Sequence, residues 1–278
     1  LWPDSITASG MGRQGSMPVR ALQALSTFLY RTSDYIVTVT PAFKEDIIAK
    51  WNINPEKISV VENGVETELF SPDGSQDAAK QDFGLNGKFV VSYIGTLGLA
   101  HGLTTVLEAA GELQNAIPQI IFLLVGEGAD KERLVSMAQE QNLANVLFFP
   151  QQPREKIPAL IRASDICLVP LKKAPVFRTV IPTKMLEFMA CARPVILGVG
   201  GQARQLLEEA QGGIFIEPEN HKALLEAVLH LYQDSSVRQT LGRNGRNYIV
   251  EHLSREQTAK TYIEVLEKVV SRWKNSIN

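Results

Sequence analysis

Phe89-Val90-Val91-Ser92-Tyr93-Ile94-Gly95-Thr96-Leu97-Gly98-Leu99-Ala100-His101-Gly102 is a short, largely apolar run that empties into a glycine-rich loop, and a helical pattern from Leu103 to Leu113 follows at once. A buried strand, a loop and a helix of about ten residues make the first half of a βαβ unit. The alternation then repeats: Ile120 to Val125 apolar, Lys131 to Gln141 helical, Val146 to Phe149 apolar, Pro153 to Ala163 helical. Ile166 to Val169, the helix Lys184 to Cys191, Pro194 to Leu197, the helix Gln202 to Ala210 and the strand Gly213 to Ile216 continue it. Such a series buries a parallel sheet between two helical layers, so a doubly wound α/β domain is expected over Leu85 to Glu217.

Outward toward the N-terminus, Pro18 to Arg31 reads as a helix with Leu22, Leu25 and Leu29 on one face. Tyr35 to Val39 reads as a strand, and Thr40-Pro41 supplies an N-cap and a first-turn proline for a helix from Ala42 to Lys50. Ile58 to Val61 is another strand, closed by the turn dipeptide Asn63-Gly64. The polar stretch Ser71 to Gln81 reads as a linker. Toward the C-terminus the last stretch is helical, and Ser254 with Gln257 forms a capping box for a closing helix. Ala259, Tyr262, Ile263, Leu266, Val270 and Trp273 make a stripe along that helix, which is expected to pack on residues 1 to about 66.

Composition sets the bounds. The chain has 278 residues, which at roughly 150 residues per domain suggests about two domains. Hydrophobic residues make up 45% and charged residues 21%, excluding disordered and collagen-like classes. Lys plus Arg is 28 against 30 Asp plus Glu, a formal charge of −2 that argues against a nucleic-acid binder. No apolar run approaches the roughly 18 residues of a membrane span, and the first residues lack a charged region followed by an apolar one. The two cysteines, Cys167 and Cys191, have no metal or disulfide spacing, which suits a reducing cytoplasm.

In an open parallel sheet, ligands bind beyond the carboxyl ends of the strands. There the chain places Gly95 to Gly102, Gly126-Glu127-Gly128 and Gly198-Val199-Gly200-Gly201. The first and last precede helices, where backbone N–H groups can face a phosphate, although glycines there also serve plain tight turns. Thr183-Lys184-Met185-Leu186-Glu187 opens a helix with Lys184 and Glu187 on one face of its first turn. The pair suits a phosphate and a ribose, or equally a solvated i, i+3 ion pair.

Taken in order, these segments resemble the family 4 retaining glycosyltransferases (glycosyltransferase group 1), which have the GT-B fold. The segments are Val61-Glu62-Asn63-Gly64-Val65 with Phe70 and Pro72, Gly95 to Gly102, and Leu124 to Gly128. Ala163-Ser164-Asp165, Val169-Pro170, Pro182 to Ala190, Arg193 to Ile196, and Gly213 with Pro218 follow. Leu1-Trp2-Pro3-Asp4-Ser5 is similar to a late N-terminal-domain loop of members that build bacterial surface polysaccharides, so an N-terminal truncation is expected.

The resemblance implies residues 1–66 as the remnant of an acceptor domain, 67–84 as linker, 85–253 as the nucleotide-sugar domain and 254–278 as a helix crossing back. It implies a nucleotide-sugar donor, UDP before GDP, a glycan or lipid-linked acceptor, and transfer with retention. It also implies a cytoplasmic setting, extending to the inner face of the membrane through the missing domain. Glu187 matches the second glutamate of the family's E-x7-E motif, a ribose ligand. Gly95, Gly98 and Gly102 match the diphosphate loop, with Thr96, His101 and Gly126 beside it. Gln151 and Gln152 match the base loop, and Gly201, Gln202 and Ala203 the turn at the sugar.

The departures are specific. Thr179 stands eight positions before Glu187, where the motif has its first glutamate. Thr96 and His101 occupy places where many members carry cations, which leaves Lys184 as the expected leaving-group cation and Arg178 as second. No DxD motif occurs, and neither a metal nor another cofactor is expected. A non-catalytic nucleotide-sugar-binding module and a nucleotide-sugar epimerase of the same fold are the alternatives.

Overall fold

Six apolar residues in a row, Ile120–Val125, form β4, and every one of them is buried. Only a strand covered on both faces takes such a sequence. In the computed structural model, which describes residues 15–277, β4 lies inside a six-stranded parallel sheet of order β5-β4-β3-β6-β7-β8. The strands are β3 Phe89–Ile94, β5 Val146–Phe149, β6 Ile166–Pro170, β7 Val195–Gly198 and β8 Gly213–Phe215. The chain winds outward from β3 through β5, then returns to β6 beside β3, so the topological switch lies between β3 and β6.

Successive residues of a strand face opposite sides of the sheet. Val90, Ile94, Ile121, Leu123 and Val125 share one core with α6 Ile157–Ala163, α7 Thr183–Ala190, α8 Gln202–Ala210 and Ile249 of α10 Ser235–His252. Val91, Tyr93, Ile120, Phe122 and Leu124 share the other with α4 Thr104–Leu113, α5 Lys131–Glu140 and α9 His221–Gln233.

Before the sheet come α1 Met17–Thr32, β1 Ile36–Thr38, α2 Pro41–Trp51 and β2 Ile58–Val60. β1 and β2 pair in parallel, and Ile36, Ile47, Ile53 and Ile58 make a small core of their own. Thr40 caps α2 as its sequence implies, with Oγ1 accepting from the Phe43 N–H at 3.2 Å. The closing helix is α11 Arg255–Ile277, and no helix among the described residues is long and apolar enough to cross a membrane.

Three expectations need correction. Inside the expected linker, Gln76–Asp82 is a helix, α3, capped by Ser75. Its polar residues clamp the start of the sheet: Asp165 accepts from the Val90 N–H at 2.7 Å, from Lys80 Nζ at 2.7 Å and from Gln76 Nε2 at 3.0 Å. Second, Leu25 and Leu29 of α1 are exposed, while Val19 and Ser26 are buried. The contact with α2 sets that rotation, through Trp51 Nε1 donating to Thr27 Oγ1 at 3.0 Å and the Tyr30 ring 4.7 Å from that of Trp51. Third, Tyr262, Ile263, Leu266 and Val270 of the α11 stripe are exposed, 44% at Tyr262 and 53% at Ile263. The helix meets residues 56–66 by another flank: the Arg255 N–H donates to the Val65 carbonyl at 2.7 Å and Arg272 to the Glu56 carbonyl at 3.1 Å. The similarity at Leu1 to Ser5 lies outside the described residues.

Asp165→Ala leaves the Val90 N–H unpaired and the Lys80 ammonium without its carboxylate, with only the Lys88 carbonyl as partner among the described residues. It is expected to cost about 3 kcal/mol in thermal or urea unfolding. A variant as stable as the parent would show the clamp to be idle.

Candidate functional site

Beyond the carboxyl ends of β3 and β4, the strand ladder continues into the loops. The Gly95 N–H donates to the Val125 carbonyl at 2.9 Å and the Leu97 N–H to the Glu127 carbonyl at 2.8 Å. The two loops run so close that a Cβ on Gly126, at φ +145°, would collide with the Gly95 carbonyl oxygen. Between them and the first turn of α7 opens a cleft of about 380 Å³. Gly95, Thr96, His101, Gly126, Gln151, Gln152, Lys184 and Glu187 all line it.

Lys184 reaches back under the loop. Its ammonium donates to the Tyr93 hydroxyl at 2.8 Å and lies 4.0 Å from the centre of that ring. A Cβ on Gly95 would meet this ammonium, so a side chain at position 95 and Lys184 in this place exclude one another. The Tyr93 hydroxyl donates in turn to the Thr96 carbonyl at 2.6 Å, which ties lysine and loop into one chain of hydrogen bonds. Burial pulls the Lys184 pKa down to about 7, against the opposing pull of Glu187. His101 is held down to about 4, first by burial and then by the charge of Lys184. It is therefore neutral near pH 7, with Nδ1 3.3 Å from the Gly98 carbonyl.

Glu187 does not pair with Lys184. Its partner is Arg154, whose guanidinium lies 3.5 Å from Glu187 Oε1 and 2.8 Å from Glu66 Oε2. Burial raises the Glu187 pKa and Arg154 opposes the rise. The solvated lysine–glutamate pair of the sequence reading is thus replaced by two separate contacts. One end of the cleft presents a cation beside a glycine loop, and the other a carboxylate, a combination that suits an anion joined to a diol.

The other expected residues fall elsewhere. Gly98 precedes the short turn Leu99–His101, and Gly102, at φ +59°, follows it. Arg178 and Gly201 line a neighbouring cavity. Gln202 turns its amide to Gln205, 2.7 Å away, and the Ala203 side chain is in the core. Tyr93, Glu127 and Arg154 were missed: Tyr93 and Arg154 contact Lys184 and Glu187, and Glu127 lines the cleft. A hydroxyl-bearing ring near the end of a strand that feeds a glycine loop was the one available signal.

Solved structures share the fold. Sucrose-phosphate synthase from Thermosynechococcus elongatus aligns at TM-score 0.81 with 22% identity, over 96% of this chain and 66% of that one. Anabaena Alr3699/HepE in complex with UDP and glucose aligns at TM-score 0.78 with 19% identity, over 88% and 66%. The fold is that of GT-B glycosyltransferases. The profile of glycosyl transferases group 1 matches residues 75–248, and the chain belongs to that family. A glycosyltransferase family 4 profile matches residues 9–69. The putative colanic acid biosynthesis glycosyl transferase WcaI of Escherichia coli is 29% identical over 229 residues, 79% of this chain and 55% of that protein. The chain spans 42–62% of the length of the curated relatives it matches.

An NMR titration of the Lys184 side chain is expected to show a midpoint near about 7, against about 10.4 for a free lysine. Tyr93→Phe removes an acceptor that favours the charged form, so its midpoint falls further. A parent midpoint at the free value would place the ammonium in solvent.

Proposed function

We propose that this chain carries the donor-binding half of a retaining family 4 glycosyltransferase. It moves a sugar from a nucleotide-sugar, UDP-linked in preference to GDP-linked, to a glycan or lipid-linked acceptor. The setting is cell-surface polysaccharide synthesis on the cytoplasmic side of the membrane, and the colanic acid biosynthesis in the name of the WcaI relative supports the synthetic role. The UDP held by the HepE structure supports the choice of base.

The observation that carries the reading is the division of the cleft between Lys184 under the Gly95 loop and Glu187 one helical turn away. The donor diphosphate lies against the loop amides and the Lys184 ammonium. Glu187 accepts from the ribose hydroxyls, and the base lies by Gln151 and Gln152. As the bond from the anomeric carbon to the diphosphate oxygen breaks, negative charge grows on the leaving group, and Lys184 stabilises it. Preorganised charge in a cleft of low dielectric supplies several kcal/mol to such a step. His101, neutral and turned to the Gly98 carbonyl, adds shape and no charge. Thr179, in the place of the motif's first glutamate, uses its hydroxyl on the Val176 carbonyl and its own carbonyl on Thr40. The binding task therefore falls on Glu187, Lys184 and the loop.

Titration calorimetry with UDP tests the assignment. Glu187→Gln is expected to weaken binding by about 1–3 kcal/mol, the range for a hydrogen bond to a charged group. In the full-length enzyme, Lys184→Ala is expected to lower kcat by more than it raises KM, because the charge it meets grows in the transition state. Parental UDP affinity in Glu187→Gln, or parental turnover in Lys184→Ala, would overturn these roles.

A further inference from the structure

A second cavity of about 310 Å³ opens beyond the carboxyl ends of β6, β7 and β8, on the other side of the switch point from the nucleotide cleft. Four cations line it, Lys172, Lys173, Arg178 and Arg204, against one lining carboxylate, Glu217. Arg204 is engaged by Glu208 at 2.7 Å and by the Phe215 ring at 4.1 Å. Lys172, Lys173 and Arg178 have no ion pair among the described residues. A further carboxylate, Glu219, accepts from the Lys173 backbone N–H at 2.9 Å.

The wall between the cavities is built, not open. The Lys172 N–H donates to the Ala100 carbonyl at 2.9 Å, joining the cationic segment to the loop of the nucleotide cleft. Gly201, at φ +73°, has the Arg178 carbonyl where a Cβ would stand, so the turn carrying Arg178 is seated on the Gly200-Gly201 turn. Phe177 and Phe215 add apolar faces. Unpaired cations in a cavity also lined by two phenylalanines, one loop away from the proposed diphosphate site, suit a sugar-sized group that bears a carboxylate or a phosphate.

We infer that this cavity binds an anionic group of the sugar-transfer substrates, either a carboxylate on the transferred sugar or a phosphate on the acceptor. The inference rests on the nucleotide-sugar reading and names the substrate chemistry beside it. Calorimetry on the full chain tests it with UDP, UDP-glucose, UDP-glucuronate and, at saturating UDP, citronellyl phosphate. For a charged sugar, UDP-glucuronate binds at least about tenfold more tightly than UDP-glucose, and the ratio falls to about 1 in Lys173→Gln/Arg178→Gln. For a charged acceptor, the ratio is near 1 in the parent, citronellyl phosphate binds the UDP-loaded chain, and the double variant loses that binding. UDP bound with no response to either anion, or with a response that the double variant keeps, overturns the anionic cavity alone. Failure to bind UDP overturns the nucleotide reading as well.

Discussion

A lysine ammonium drawn back into the wall of the cleft is the constraint on which the site depends. Removing a cation from water is costly, and the protein answers with one hydroxyl acceptor and one ring face, both from Tyr93, in place of a carboxylate. The cost shows in the fall of the Lys184 pKa to about 7. Three features follow from that placement. Position 95 has to be glycine, the hydroxyl of Tyr93 has to be there to take the proton donor, and α7 has to begin where β3 ends. A charge with so little internal compensation is poised for an anion from outside. A surface lysine paired with Glu187 would bring little to binding, since exposed pairs contribute about 0–1 kcal/mol.

The sheet supplies the rigidity this needs. Tyr93 sits in the second core with Phe122 and Leu124, while Lys184 is carried by a helix rooted in the first core through Met185, Leu186 and Phe188. The ladder between the β3 and β4 loops leaves the glycine segment little freedom, because the Gly95 and Leu97 N–H groups are already spent on the Val125 and Glu127 carbonyls. On the far side of the switch point, the cationic segment 172–178 is tied to the same loop and to Gly201. The segments that line the two cavities are therefore held to one another by backbone hydrogen bonds and close packing.

Much of this was legible in the residues. Runs such as Ile120 to Val125 have no reading other than a doubly covered strand once helices flank them, and the order of strands and helices followed. Lys184 and Glu187 stood out because three-residue spacing puts them on one face. What escaped was whatever depended on rotation or on distant partners. Gln76 to Asp82 looked like linker because two of its polar residues, Gln76 and Lys80, serve Asp165 instead of solvent. Leu25 and Leu29 of α1 and Tyr262, Ile263, Leu266 and Val270 of α11 face outward because contacts of Thr27, Val65 and Glu56, invisible to periodicity, set the orientation of each helix. Arg154 approaches Glu187 across 33 positions of chain, and no local pattern announces it.

If Lys184 is the cation that meets the diphosphate, ligand binding must recharge it. At pH 8 a lysine with a pKa of about 7 is roughly nine-tenths neutral, and a bound anion raises that pKa. Calorimetry of UDP binding at pH 8, repeated in buffers of different ionisation enthalpy, counts the protons taken up. The expected result is an uptake approaching one proton per UDP, lost in Lys184→Met. UDP binding without proton uptake, or with an uptake that Lys184→Met leaves intact, would contradict the central role given to this lysine.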